Sequence, residues 1–139
     1  MNQYSEIIAA EWTSQTSSTP DEWTPDKPER GQCVPTALVV QDLLGGDIKR
    51  VRMTGLHIDE SHYYNVVNGE IIDWTDAQYD TMLVSMEPAP VDARAEGYMS
   101  MRDRLVANPD TNARYELLRT RVFEQLHLLA LYTLRCYYW

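Results

Sequence analysis

His62-Tyr63-Tyr64-Asn65-Val66-Val67-Asn68-Gly69-Glu70-Ile71-Ile72-Asp73-Trp74-Thr75 is the stretch that decides the fold. Asn-Gly between two apolar runs predicts a two-residue type I′ hairpin, because both turn positions need positive φ. With Asn68 and Gly69 as the turn, Val67 opposes Glu70, Val66 opposes Ile71, Tyr64 opposes Asp73 and His62 opposes Thr75. Opposed residues share a sheet face, as do residues two apart on a strand. His62, Tyr64, Val66, Ile71, Asp73 and Thr75 are therefore expected on one face, with His62 and Asp73 as diagonal neighbours at about 7 Å. A carboxylate there holds an imidazole in one tautomer and stabilises its cation. The competing readings are a strand histidine capped by a carbonyl, and an Asp73 that only caps the turn begun by Thr75-Asp76. Asn65 lies on the opposite face and reads as structural. Val66 and Ile71 predict that the histidine face packs on something apolar.

Upstream, Cys33 to Leu44 is an apolar cluster stopped by Gly45-Gly46, which predicts a largely buried helix. Pro35 fits only in the first turn, so the helix starts close to Cys33. A cysteine there meets free N–H groups and the positive end of the helix dipole, which favour a thiolate. With the hairpin packed on this helix, Cys33, His62 and Asp73 form a Cys–His–Asp set, the activated-nucleophile pattern of acyl transfer. The N–H of Cys33 and its neighbour, helped by the Gln32 side chain, would bind an oxyanion. Gln32, Tyr64, Trp74 and Gln78 are the candidates for oxyanion or substrate contact. In the plainer reading Tyr63, Tyr64 and Trp74 are core aromatics, Gln78 is a turn residue, and Cys33 is a small buried apolar side chain.

The remaining chain reads as a short helix over 3–12, a Ser/Thr/Pro-rich wrapping loop over 13–31 pinned by Trp23, and a strand from Ile48 to Met53. Residues 81–92 read as strand or loop. Two helices are predicted over 93–107 and 111–134, separated by Asn108-Pro109-Asp110, the second with a stripe of Tyr115, Leu118, Val122, Leu126 and Leu129. His57 falls in a loop and is the first substitute for His62 if the register differs. His127 and Cys136 belong to the last helix.

Gly31-Gln32-Cys33 before a buried helix, His62-Tyr63-Tyr64-Asn65, and Asp73-Trp74-Thr75-Asp76-Ala77-Gln78 resemble the transglutaminase core, with its GQC helix start, His-x-Trp-Asn strand and Asp-x-Thr-x-Gln strand. That resemblance implies Cys33 as nucleophile, His62 as base and Asp73 as its orienting carboxylate. GQCVPTALVVQDLLGGDI, the HYYN hairpin and IIDWTDAQ also resemble the YunG-like family of small bacterial proteins over residues 20–125, with the tail 126–139 outside it. The expected fold is one α+β domain of the papain/transglutaminase-like type. Its parts are a helix and loop over 1–31, the Cys33 helix with a small antiparallel sheet over 32–92, and C-terminal helices over 93–139. The expected activity is thiol attack on an amide, ester or isopeptide carbonyl, needing no metal or organic cofactor.

The chain has 139 residues, the size of one compact domain. Its 12 Lys and Arg against 21 Asp and Glu give a net charge of −9, which argues against nonspecific nucleic-acid binding. Residues 112–139 carry a net +2 while residues 1–111 carry −11, so the C-terminal segment is free to pack on the acidic body or on a partner. Two cysteines make no disulfide framework, and no segment predicts a signal peptide or membrane span. A cytoplasmic protein with a protein or peptide-like substrate is expected, its apolar C-terminal helix burying either against the domain or against a second copy in a homo-oligomer. Two rivals stand beside the enzyme: a noncatalytic binding module of the same fold, and a redox-sensing thiol.

Overall fold

A computed structural model describes residues 2–79 and 83–138. In chain order the elements are α1 (Gln3–Ala10), α2 (Cys33–Leu44), β1 (Asp47–Gly55), β2 (Asp59–Val67), β3 (Glu70–Ile72), a 3₁₀ turn (Asp76–Gln78), β4 (Val84–Pro88), α3 (Met101–Val106) and α4 (Pro109–Tyr138). The strands form one antiparallel sheet in the order β3-β2-β1-β4. The protein is α+β.

α2 spans the predicted residues. Its first intrahelical bond runs from Thr36 N–H to the Gln32 carbonyl at 3.0 Å, which leaves Pro35 where its missing N–H costs nothing. Gly45 closes it with φ +74° and an N–H bond to the Gln41 carbonyl of 2.9 Å. Gly46, at φ +77°, brings the chain so close to β2 that a Cβ would stand 2.3 Å from the Val66 carbonyl oxygen. Only glycine fits there.

The hairpin turns at Asn68 (φ 51°) and Gly69 (φ 79°), the type I′ signature. Val66↔Ile71 and Val67↔Glu70 pair in the expected register, but the ladder ends at Asn65↔Ile72. On its other edge β2 pairs with β1, Tyr64 opposite Lys49 and His62 opposite Val51.

The face that α2 covers differs from the expected one. Ile48, Tyr63 and Asn65 are buried there, and Asn65 Nδ2 donates to the Ala37 carbonyl of α2 at 2.9 Å. Ile71, expected under the helix, is 71% exposed. Tyr63, Val67 and Ile72 are as apolar as Tyr64, Val66 and Ile71, so a period of two could not choose the face. On the other face Val51, Met53 and Tyr79 form a second, smaller core with Ile58, Tyr64 and Val84 against them.

The loop after α1 is less superficial than expected: Thr16 and Ser17 are buried, and Ser17 Oγ donates to the Arg30 carbonyl at 2.7 Å. Trp23 pins it through Nε1 to the Pro28 carbonyl at 2.9 Å. Within the predicted stretch 81–92, β4 occupies Val84–Pro88, while residues 81 and 82 lie outside the described residues. The helix expected over 93–107 begins only at Met101. Gly97 (φ 93°) breaks the stretch before it, and the Ser100 hydroxyl caps Asp103 N–H at 3.1 Å.

α4 buries Tyr115, Leu118 and Val122 against α1 and α2. Its charge ties it to the body: Arg121 donates to Thr13 and Gln15 at 2.9 Å each, and Arg119 lies 3.5 Å from Asp42. From His127 to Tyr138 every residue is exposed. A chain ending at Leu126 is therefore expected to keep its urea unfolding free energy to within about 0.5 kcal/mol of the full chain, as for exposed positions elsewhere.

Candidate active site

The hairpin brings His62 and Asp73 together as expected. Once the ladder stops at Ile72, the chain turns so that Asp73 Oδ2 accepts from His62 Nε2 at 2.6 Å. The other carboxylate oxygen accepts from Thr75 N–H at 3.3 Å and from the Thr75 hydroxyl at 3.4 Å. Asp73 thus does both jobs weighed for it, orienting the imidazole and capping its own turn. His62 is 1% exposed. Burial works against its charged form, yet the Asp73 carboxylate and the adjacent Cys33 raise its pKa from 6.5 to about 9. With Nε2 committed to Asp73, Nδ1 is the ring atom left for a further partner, and it makes no hydrogen bond.

Cys33 is the first residue of α2 and is 9% exposed. Its own N–H and that of Val34 lie in the first helical turn, where no intrahelical acceptor exists. It lies close enough to His62 and Tyr79 for its charge to act on both. Tyr79 meets the imidazole edge-on, with ring centroids 5.1 Å apart at 85°. Burial pushes the Tyr79 hydroxyl up, and the charges of Cys33 and Glu60 add to that.

The other sequence candidates are placed as follows. Gln32 is fully buried, with its Nε2 donating to the Thr13 carbonyl at 3.0 Å. Gln78 Oε1 accepts from Gly31 N–H at 3.2 Å and from Arg30 Nη1 at 3.3 Å, joining the 3₁₀ turn to the lead-in of α2. Trp74 packs half-buried on the main core, and Tyr64 on the smaller one. His57, His127 and Cys136 are exposed.

Arg30, Glu60 and Tyr79 were not singled out from the sequence. Arg30 binds Glu60 at 2.7 Å and Glu22 at 2.7 Å, and these carboxylates outweigh its burial to keep it cationic. A usable signal existed for Glu60, which lies two residues before His62 and so shares its strand face.

The sequence matches the family described as YunG protein over residues 1–127. The chain belongs to the YunG family. It is 36% identical over 104 residues to the uncharacterised protein YunG of Bacillus subtilis (strain 168), a match spanning 70% of this chain and 84% of that protein. No solved structure matches significantly.

In this YunG-family chain the matched stretch contains Cys33, His62 and Asp73, while the exposed end of α4 falls beyond it. A cavity of about 620 Å³ opens along β1 beside Gln41, Lys49, Tyr64, Met86 and Val91. Cys33, His62 and Asp73 are not among the residues that line it. Among the described residues no three or more of His, Cys, Asp and Glu gather as a metal site. No described helix is long and apolar enough to cross a membrane.

Proposed function

We propose that this YunG-family protein is a cysteine-dependent acyl-transfer enzyme, acting as a hydrolase on amide, isopeptide or ester bonds with papain/transglutaminase-like chemistry. The observation that carries the reading is the buried His62–Asp73 pair at 2.6 Å, whose second ring nitrogen is left open next to a cysteine at a helix start. Cys33 Sγ attacks the substrate carbonyl carbon, and the C=O electron pair moves onto oxygen near the free Cys33 N–H. Collapse of that intermediate breaks the bond to the leaving group, which takes its proton from the His62 imidazolium. A thioester remains at Cys33. Water then attacks it, His62 accepts the proton, and the acid product leaves with the thiol regenerated. Asp73 holds the ring and its charge throughout.

A noncatalytic binding module draws support from one feature, the exposed apolar end of α4, where Leu128 is 56% and Tyr137 82% exposed. The redox alternative needs a resolving thiol. Cys136 stands 14 residues beyond Val122, the last buried residue of α4, roughly 21 Å along a straight helix.

The test is alkylation of Cys33 by iodoacetamide as a function of pH, followed by intact mass in a Cys136→Ser background. Labelling is expected already at pH 6, and at least roughly tenfold slower in His62→Ala, since only the thiolate is the nucleophile. Labelling confined to pH above about 8.5, the range of an ordinary thiol, and indifferent to His62, would overturn the enzyme reading.

A further inference from the structure

Three buried side-chain atoms without a hydrogen-bond partner border the Cys33 segment: Gln32 Oε1, His62 Nδ1 and Gln78 Nε2. Buried polar atoms are nearly always satisfied, so each of these atoms is open to a bond that a ligand or intermediate would complete. The two amides differ in what they offer. The Thr13 carbonyl can only accept, so it fixes the Gln32 amide with Nε2 turned towards it and only an acceptor oxygen to spare. Backbone N–H and guanidinium can only donate, so Gly31 and Arg30 fix the Gln78 amide the other way, with Oε1 anchored and the Nε2 donor to spare. An oxyanion needs donors. Gln78 has one; Gln32 does not.

The Gln78 anchor is also close to the nucleophile. Gly31 precedes Cys33 by two residues, so their Cα atoms are at most about 7 Å apart. Tyr79, the next residue after Gln78, lies against the His62 ring and feels the Cys33 charge. Gly31 is held on its other side by the N-terminal loop: at φ +74° a Cβ there would stand 2.3 Å from Ser17 Oγ.

Resting on the acyl-transfer reading, the geometry points to Gln78 Nε2 as the side-chain donor that, with the Cys33 N–H, stabilises the oxyanion of the tetrahedral intermediate. Gln78 is then a catalytic residue supplied by the turn after the hairpin. The amide neighbouring the nucleophile in sequence, Gln32, is a structural link to the N-terminal loop.

Gln78→Glu separates the two roles. It keeps an acceptor for Gly31 N–H and Arg30 but replaces the donor with a second acceptor oxygen. The probes are p-nitrophenyl acetate, which must pass through an oxyanion, and iodoacetamide, whose displacement at carbon forms none. Both are read as adducts on Cys33 by intact mass, in a Cys136→Ser background with Cys33→Ser as blank, alongside the thermal midpoint. The expected result is acetylation slowed roughly 100- to 1,000-fold in Gln78→Glu, the usual cost of losing one oxyanion donor. Alkylation slows far less, by no more than the loss of thiolate that a neighbouring carboxylate causes, and the midpoint checks that the variant is folded. Equal acetylation of parent and variant overturns the role of Gln78 and leaves the triad standing. A parent that alkylates but is not acetylated overturns the oxyanion site itself. An equal fall in both reactions assigns Gln78 to the thiol itself and not to the oxyanion, which also overturns it. A parent Cys33 that takes neither reagent sinks the acyl-transfer reading, and this inference with it.

Discussion

Asp73→Asn is expected to lower the unfolding free energy by about 1 to 3 kcal/mol at pH 6, since Asp73 shares the upward pull on His62 with Cys33, and by much less at pH 10. The imidazole of His62 is raised from 6.5 to about 9 on folding, and each pH unit of that displacement corresponds to about 1.4 kcal/mol. His62 is almost fully buried, so solvent screens the pair little. A base whose pKa is raised by folding binds its proton more tightly in the native state. That contribution is fully present below pH 6.5 and is lost as the pH rises through 9. The variant, with no carboxylate to hold the imidazolium, is expected to show a flatter stability profile between those limits. Urea unfolding of both proteins at pH 6 and pH 10 measures it. An equal loss at both pH values would mean that Asp73 acts through hydrogen-bond geometry alone.

The second large effect is expected in the main core, where α4 packs on α2. Leu118→Ala should cost about 3 kcal/mol or more, the usual result of opening a cavity at a fully buried leucine. Leu118 is 0% exposed and packs in the same core as Leu38 and Val39 of α2. α4 therefore backs the helix whose first residue is the candidate nucleophile. Leu128→Ala, at a 56% exposed site of the same helix, should change stability by no more than about 0.5 kcal/mol. Denaturant midpoints of the two variants compare them directly. Similar losses would mean that the outer end of α4 is packed in solution, against this chain or another copy.

The candidate site was unusually legible because its parts lie in short local motifs. Asn68-Gly69 set the hairpin register, and that register brought His62 within reach of Asp73 although the ladder ends before reaching either pairing. The helix start at Cys33 followed from Pro35 and the double glycine. The covered sheet face was misjudged because both faces of the hairpin carry apolar residues. The start of α3 was misplaced because its composition gives no stop signal as strong as the backbone break at Gly97.

The sequence by itself determined the elements whose signals are local: α2, the hairpin turn and the order in which thiol, imidazole and carboxylate arrive. These depend on φ preferences, missing N–H groups and alternation, all of which act within a few residues. Tertiary structure alone decided which sheet face α2 covers, how Arg30 gathers Glu22, Glu60 and Gln78, and which way each glutamine amide points. An amide's orientation depends on whether its neighbour can donate or only accept. Thr13 and Gly31 become those neighbours through contacts 19 and 47 residues apart in the chain, which no local pattern encodes.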